Sequence, residues 1–160
     1  MIQEIKPEDI PKCVEVIRKS FVTVANEFGI TEENGARFTA FATDERRIEW
    51  HMFGEHRPMY GYYQGNNLIG YYSLLIKDTG ECELNNLSVL PEYRHKKIGH
   101  SLLTHSFERA KELRCTKMNI GIVEENIVLR SWYERYGFVH IGTEKFDFFP
   151  FTCGYMEKVL

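Results

Sequence analysis

The sequence predicts an α+β fold built on one mixed sheet, and three observations carry that prediction. MYGYYQ and LIGYYSLLIK, rich in tyrosine and β-branched residues, flank Gln64-Gly65-Asn66-Asn67, a tight-hairpin signal that implies antiparallel neighbours. Two consecutive strand–helix–strand steps follow, from CELNNLSVL onward, and such steps imply some parallel pairing. The 160 residues contain no internal repeat, low-complexity tract or Pro/Gly/Ser-rich linker, so one domain over 1–160 is expected.

The elements follow in order. IQEI opens as a short strand. From Pro7, PEDIPKCVEVIRKSFVTVANEF places Ile10, Val14, Ile17, Phe21 and Val24 at helical spacing, with acidic residues at its start and Gly29 beyond its end. Thr43 before DERRIEWHMF reads as the N-cap of a second helix ending near Gly54. The intervening ITEENGARFTAFA is irregular or only briefly helical. Three strand-like runs come next, the third being CELNNLSVL after Thr79-Gly80. IGHSLLTHSFERAKEL then carries Leu102, Leu103, Phe107, Ala110 and Leu113 on one helical stripe. KMNIGIV is a short apolar strand, NIVLRSWYERYGF a helix closed by Gly137, and VHIGTEKF and GYMEKVL are closing strands.

Composition excludes several function classes. Hydrophobic residues make up 43% and charged residues 27%, which is globular composition. A net charge of −3 without a basic tail gives no general pull toward nucleic acid or an anionic membrane. MIQEIKPEDIPK has acidic residues where a signal peptide needs an apolar core, and no stretch approaches the ~20 apolar residues of a membrane span, so a cytoplasmic location is expected. Cys13, Cys82, Cys115 and Cys153 are scattered without a CxxC pair and read as reduced thiols. His51 and His56 lack a nearby cysteine or carboxylate cluster; they are expected as surface histidines, and no metal site is expected.

Chemistry concentrates in ELNNLSVLPEYRHKKIGHSLL. A strand ends at Val89, Pro91 stops ladder pairing, a basic loop follows, and a helix begins near Gly99. A helix N-terminus leaves backbone N–H groups unpaired and carries partial positive charge, so this geometry binds phosphate. Arg94, His95, Lys96 and Lys97 add side-chain charge, and Gly99 lets a pyrophosphate approach the backbone. A solvated basic loop before an ordinary helix is the alternative.

LSVLPEYRHKKIG resembles motif A of the GNAT acetyltransferase superfamily, Q/R-x-x-G-x-G/A after a strand ending in V-x-P. Arg94 takes the Q/R position and Gly99 the final G/A position, while Lys97 stands where the first glycine usually is. NIVLRSWYERYGF is similar to motif B, N-x-x-A-x-x-x-Y-E-K-x-G-F. Asn126, Tyr133, Glu134, Gly137 and Phe138 align without a gap, and Leu129 replaces the small residue. The resemblance spans nearly the whole chain. It implies a central mixed, mostly antiparallel sheet of about six to seven strands flanked by about four helices, an α+β (mixed α/β) fold.

The resemblance further implies acetyl-CoA as co-substrate. Leu87, Ser88 and Val89 would present backbone groups to the pantetheine arm. Arg94, His95, Lys96, Lys97, Ile98, Gly99 and His100 would hold the pyrophosphate, and Asn126 would help fix the arm. The strands CELNNLSVL and KMNIGIV would splay, with the thioester between them. Glu83 is the candidate base, because strand alternation puts Glu83, Asn85, Leu87 and Val89 on one face; a surface carboxylate is the other reading. Tyr133 is the expected proton donor to the departing thiolate, and a backbone N–H near Leu87 or Ser88 the oxyanion donor. Direct transfer in a ternary complex needs no cysteine nucleophile.

The implied partner is a small-molecule or peptide amine, and a homodimer is left open. In this fold the acceptor pocket would draw on Phe28, Phe38, Phe41, Trp50, Tyr60, Phe146, Phe148, Phe149, Phe151 and Tyr155, which equally suit a packed seam. Arg37, Arg46, Arg47, Glu45 and Glu49 supply both signs of charge. Two rival classes stand beside the transferase: a non-catalytic acyl-CoA-binding regulator, and a module using the basic loop for another phosphate. The sequence contains neither G-K-[ST] nor GxGxxG, which weakens the second rival.

Overall fold

The computed structural model describes residues 1–160. Seven strands form one sheet: β1 Ile2–Glu4, β2 Met59–Gln64, β3 Asn67–Ile76, β4 Glu81–Val89, β5 Lys117–Val123, β6 Val139–Glu144 and β7 Cys153–Val159. Their order is β1-β2-β3-β4-β5-β7-β6, and every neighbouring pair is antiparallel except β4 with β5. The expected mixed, mostly antiparallel sheet is therefore present. β2 and β3 meet across Gly65-Asn66, with Gly65 at φ +61° supplying the left-handed turn residue.

Five helices flank the sheet rather than four: α1 Ile10–Glu27, α2 Thr39–Ala42, α3 Glu45–Glu49, α4 Ile98–Glu112 and α5 Ile127–Glu134. The extra one is α2, a single turn in the segment expected to be irregular or only briefly helical. The expected helix from a Thr43 cap to Gly54 is corrected at its start, while its end near Gly54 holds. Asp44 is the cap, its carboxylate accepting from the Arg47 N–H at 2.9 Å. Thr43 instead follows α2, its carbonyl taken by the Arg18 guanidinium at 2.9 Å. Regular α-helix stops at Glu49, and Trp50–Gly54 continues as a wider π turn. That turn buries His51 to 6% exposure, against the expectation of a surface histidine, while His56 stays exposed.

α1, α4 and α5 end in the same way. Ile30, Cys115 and Phe138 donate their N–H to the carbonyls of Ala25, Ala110 and Tyr133, across Gly29, Arg114 and Gly137 at positive φ. This is the Schellman closure, which satisfies carbonyls left over at a helix end.

The sheet buries both faces. On one face α1 and α3 pack Ile10, Cys13, Val16, Ile17 and Ile48 against Met59, Tyr63, Leu68 and Tyr71. On the other, α4 and α5 pack Leu102, Leu103, Ala110 and Tyr133 against Ile69, Tyr72, Leu74, Leu84 and Met118. Gly70 lets α4 approach closely, since a Cβ there would stand 2.7 Å from Leu102 Cδ1 and 3.2 Å from the Ser88 carbonyl. Leu113, expected on the α4 stripe, lies beyond the helix end and is 40% exposed. No helix is long and apolar enough to cross a membrane.

Candidate active site

β4 and β5 are held together by only three parallel pairs, Glu81 with Lys117, Cys82 with Met118 and Glu83 with Asn119. Past them both strands continue, β4 to Val89 and β5 to Val123, without pairing to each other. The gap opens into a cavity of about 1220 Å³ lined by Leu84 and Asn86 to Val89 on one side and Ile120 to Val123 on the other. Backbone groups of both strands are thus left for a ligand rather than for each other.

A bulge shapes the β4 side. Tyr71 pairs with Ser88 but Ser73 with Asn85, so β4 holds one residue more than β3 across this stretch. Asn86 takes φ +57°, and Ser88 Oγ donates to the Asn86 carbonyl at 2.6 Å. The extra residue breaks strand alternation. Leu87 and Val89 consequently pack with Leu84 on the α4 face, whereas Asn85 and Ser88 pair with Ser73 and Tyr71, which face α1. The expectation that Glu83, Asn85, Leu87 and Val89 share one face is therefore corrected. Glu83 does not line the cavity. Its carboxylate accepts from Asn85 Nδ2 at 2.9 Å and stands 3.6 Å from Lys77 Nζ, and Asn85 Oδ1 accepts from Arg57 Nη1 at 2.8 Å.

The basic loop enters at the other end of the cavity. After a 3-10 turn at Pro91–Tyr93, His95 and Lys97 both sit at φ +63°, and α4 starts at Ile98 with no side-chain cap. Its first-turn N–H groups lack intrahelical partners, and the residues that carry them, Ile98, Gly99 and His100, line the cavity. The αL conformation at Lys97 explains why a glycine suits that position. Arg94, His95, Lys97, Ile98, Gly99 and His100 line the cavity; Lys96 does not, and its ammonium lies 5.4 Å over the Tyr93 ring. Arg94 turns toward α1, donating to Thr23 Oγ1 and the Ser20 carbonyl at 3.0 Å each. Its guanidinium is a strut between loop and helix.

α5 supplies the remaining wall. Asn126 caps it by accepting from the Leu129 N–H at 3.2 Å, and lines the cavity. Tyr133 also lines it, 6% exposed, with Phe138 and Trp132 edge-on at 5.3 and 5.0 Å. Burial pushes its phenol well above the ordinary tyrosine pKa, so it stays protonated and able to donate. Sequence reading missed Trp132 and Tyr136, both in the cavity wall, although their helical spacing beside Tyr133 was a visible signal. His100 Nδ1 meets the Tyr136 hydroxyl at 2.7 Å.

Of the aromatic residues expected around an acceptor, Phe38, Phe149, Phe151 and Tyr155 line the cavity. Tyr60 does not; it stacks on Tyr72 at 5.5 Å on the α4 face, and Trp50 is 61% exposed. All four cysteines are free thiols; burial pushes Cys13 and Cys82 up to about 12, which leaves them protonated and poorly nucleophilic.

The acetyltransferase (GNAT) family model matches residues 27–138. A spermidine N(1)-acetyltransferase of Thermoplasma acidophilum is 33% identical over 88 residues, which span 55% of this chain and 54% of that protein, about half its length. The PaiA N-acetyltransferase of the same organism, solved in complex with coenzyme A, superposes with a TM-score of 0.83 at 25% identity, covering 100% of this chain and 98% of that one. The ribosomal-protein-S18-alanine N-acetyltransferase of Escherichia coli superposes at 0.78 with 15% identity over 99% and 92% of the two chains, a likeness of fold.

Proposed function

The chain belongs to the GNAT acetyltransferase family, and on that premise we propose that it moves an acetyl group from acetyl-CoA to a primary amine of a small molecule or peptide. Attack is direct, within a ternary complex. The observation that carries this reading is a coincidence of three features in one cavity: parted parallel strands, an uncapped helix N-terminus and a buried, protonated tyrosine. Acetyl-CoA fits that set, because the strand gap suits an extended amide-bearing arm and the α4 start suits its pyrophosphate.

In this reading the backbone of Leu87, Ser88 and Val89 pairs with the pantetheine arm, and Asn126 borders the same arm. The N–H groups of Ile98, Gly99 and His100 hold the phosphates, with His95 beside them, Lys97 adding charge and Arg94 fixing the loop to α1. Lys96 contributes long-range attraction from outside the cavity. A strand N–H beside the bulge, at Leu87 or Ser88, accepts the charge that develops on the carbonyl oxygen. Glu83 takes the ammonium proton through an intervening water, since its carboxylate stands behind the cavity wall and is held by Asn85. Tyr133 donates to the departing thiolate.

Thiol release from acetyl-CoA, followed across a panel of amines, tests the reading. Tyr133→Phe should lower kcat roughly 100-fold while acetyl-CoA still binds. Amine-dependent release that is unchanged by this substitution would refute the role of Tyr133. Absence of acetyl-CoA binding would refute the transferase reading itself.

A further inference from the structure

The part of the cavity bordered by the end of α1, the segment before α2 and the run before β7 has a composition that selects among amines. Phe38 from the segment before α2 and Phe149 and Phe151 from the run before β7 form one wall. Phe38 meets Phe151 edge-on at 5.5 Å, and Phe149 stacks on Phe151 at 4.6 Å. Mutual packing fixes these rings, so the wall is aromatic and apolar and needs little ordering when a ligand arrives.

Two charged side chains border this wall, Glu27 at the end of α1 and Arg37 after it. Both are exposed. Neither has a hydrogen-bonding or ionic partner within the chain, in contrast to Arg94, which is tied to α1. The Arg37 guanidinium lies 4.2 Å over the Phe148 ring, which sets its plane while leaving its N–H fork free. Glu27 is the only carboxylate lining the cavity.

Resting on the transferase reading, we propose that the acceptor is a monoamine that also carries a carboxylate and a flat apolar body. Arg37 pairs with the carboxylate, and the Phe38, Phe149 and Phe151 wall takes the body. A planar guanidinium recognises a carboxylate through two parallel hydrogen bonds, which an ammonium cannot imitate. A polyamine suits the site poorly. Each of its ammonium groups needs its own acceptor when it leaves water, and one carboxylate beside an unpaired arginine does not provide them. This chain therefore differs in acceptor from the spermidine named for its relative from Thermoplasma acidophilum.

The test compares L-phenylalanine with 2-phenylethylamine, 4-(aminomethyl)benzoate with benzylamine, and all four with spermidine. Thiol release gives kcat/KM, and calorimetric titration of the CoA-bound protein gives acceptor affinity. Within at least one pair the carboxylate-bearing amine should be preferred by about tenfold, the size of one partly solvated charge-assisted contact. That ratio should collapse toward one in Arg37→Gln. Preference for spermidine, or equal use of both members of each pair, overturns the acceptor class while leaving transfer intact. Carboxylate-selective, Arg37-dependent binding without any turnover does the reverse, supporting the acceptor class and overturning transfer. No Arg37-dependent binding in either pair overturns the acceptor class whatever the turnover.

Discussion

Lys97 holds a left-handed conformation at φ +63° at the start of α4. A side chain in that region costs about 1–2 kcal/mol relative to glycine, so Lys97→Gly should raise unfolding stability by about 1 kcal/mol in denaturant titrations. A fall in stability would mean that the lysine makes a compensating contact. His51 offers a second prediction. Burial lowers its pKa to about 4, so between the ordinary value near 6.5 and about 4 the unfolded chain binds a proton that the folded one refuses. Stability should fall as pH drops through that window, and His51→Gln should flatten the slope of the denaturation midpoint there. Much of the lining of the candidate site was legible at this scale. Arg94, the residues from Lys97 to His100, Asn126 and Tyr133 all line the cavity as the motifs suggested. Lys96 and Glu83 do not, because the direction of a side chain depends on a turn and a bulge that no spacing rule registers. Arg37 went unweighted among five charged residues, since only the fold shows which of them meets the cavity.

At the scale of elements, the bulge in β4 decides the most. Alternation read from the sequence assumes one residue per pleat, and Asn86 inserts one more. Asparagine tolerates the left-handed region and β-branched residues do not, so Asn86→Val should destabilise the fold by about 1–2 kcal/mol. Asn86→Gly should be close to neutral in the same denaturant measurement. The Schellman closure of α4 supplies a parallel case. Arg114 occupies at φ +62° the position that Gly29 and Gly137 hold after α1 and α5, and Arg114→Gly should add up to about 1 kcal/mol. Helix ends were legible where glycine marked them, at Gly29 and Gly137. The start of α3 was not, because Thr43 and Asp44 are adjacent and both able to cap, and the choice fell to the residue whose carboxylate reaches the Arg47 N–H.

For the whole molecule, the sheet is two blocks, β1 to β4 and β5 to β7, joined by three residue pairs between β4 and β5. A ligand bound in the gap, as proposed for acetyl-CoA, would complete that seam. Saturating acetyl-CoA at about 100 times its Kd should add about 2.7 kcal/mol to stability, with hydrogen-exchange protection gained at residues 86–89 and 120–123. Uniform protection across both blocks would argue against a bridging arm. Hairpin and crossover signals made the seven strands and the mixed pairing readable in advance. The β5-β7-β6 order was not, because periodicity fixes which face a strand buries and says nothing of which neighbour it takes. That order has a consequence for assembly. β7 follows β6 along the chain yet lies between β6 and β5, so β6 has no place in the sheet until β7 has paired with β5. Any opening that frees β7 therefore frees β6 as well and bares the edge of β5, and it is there that a neighbouring polypeptide could add a strand.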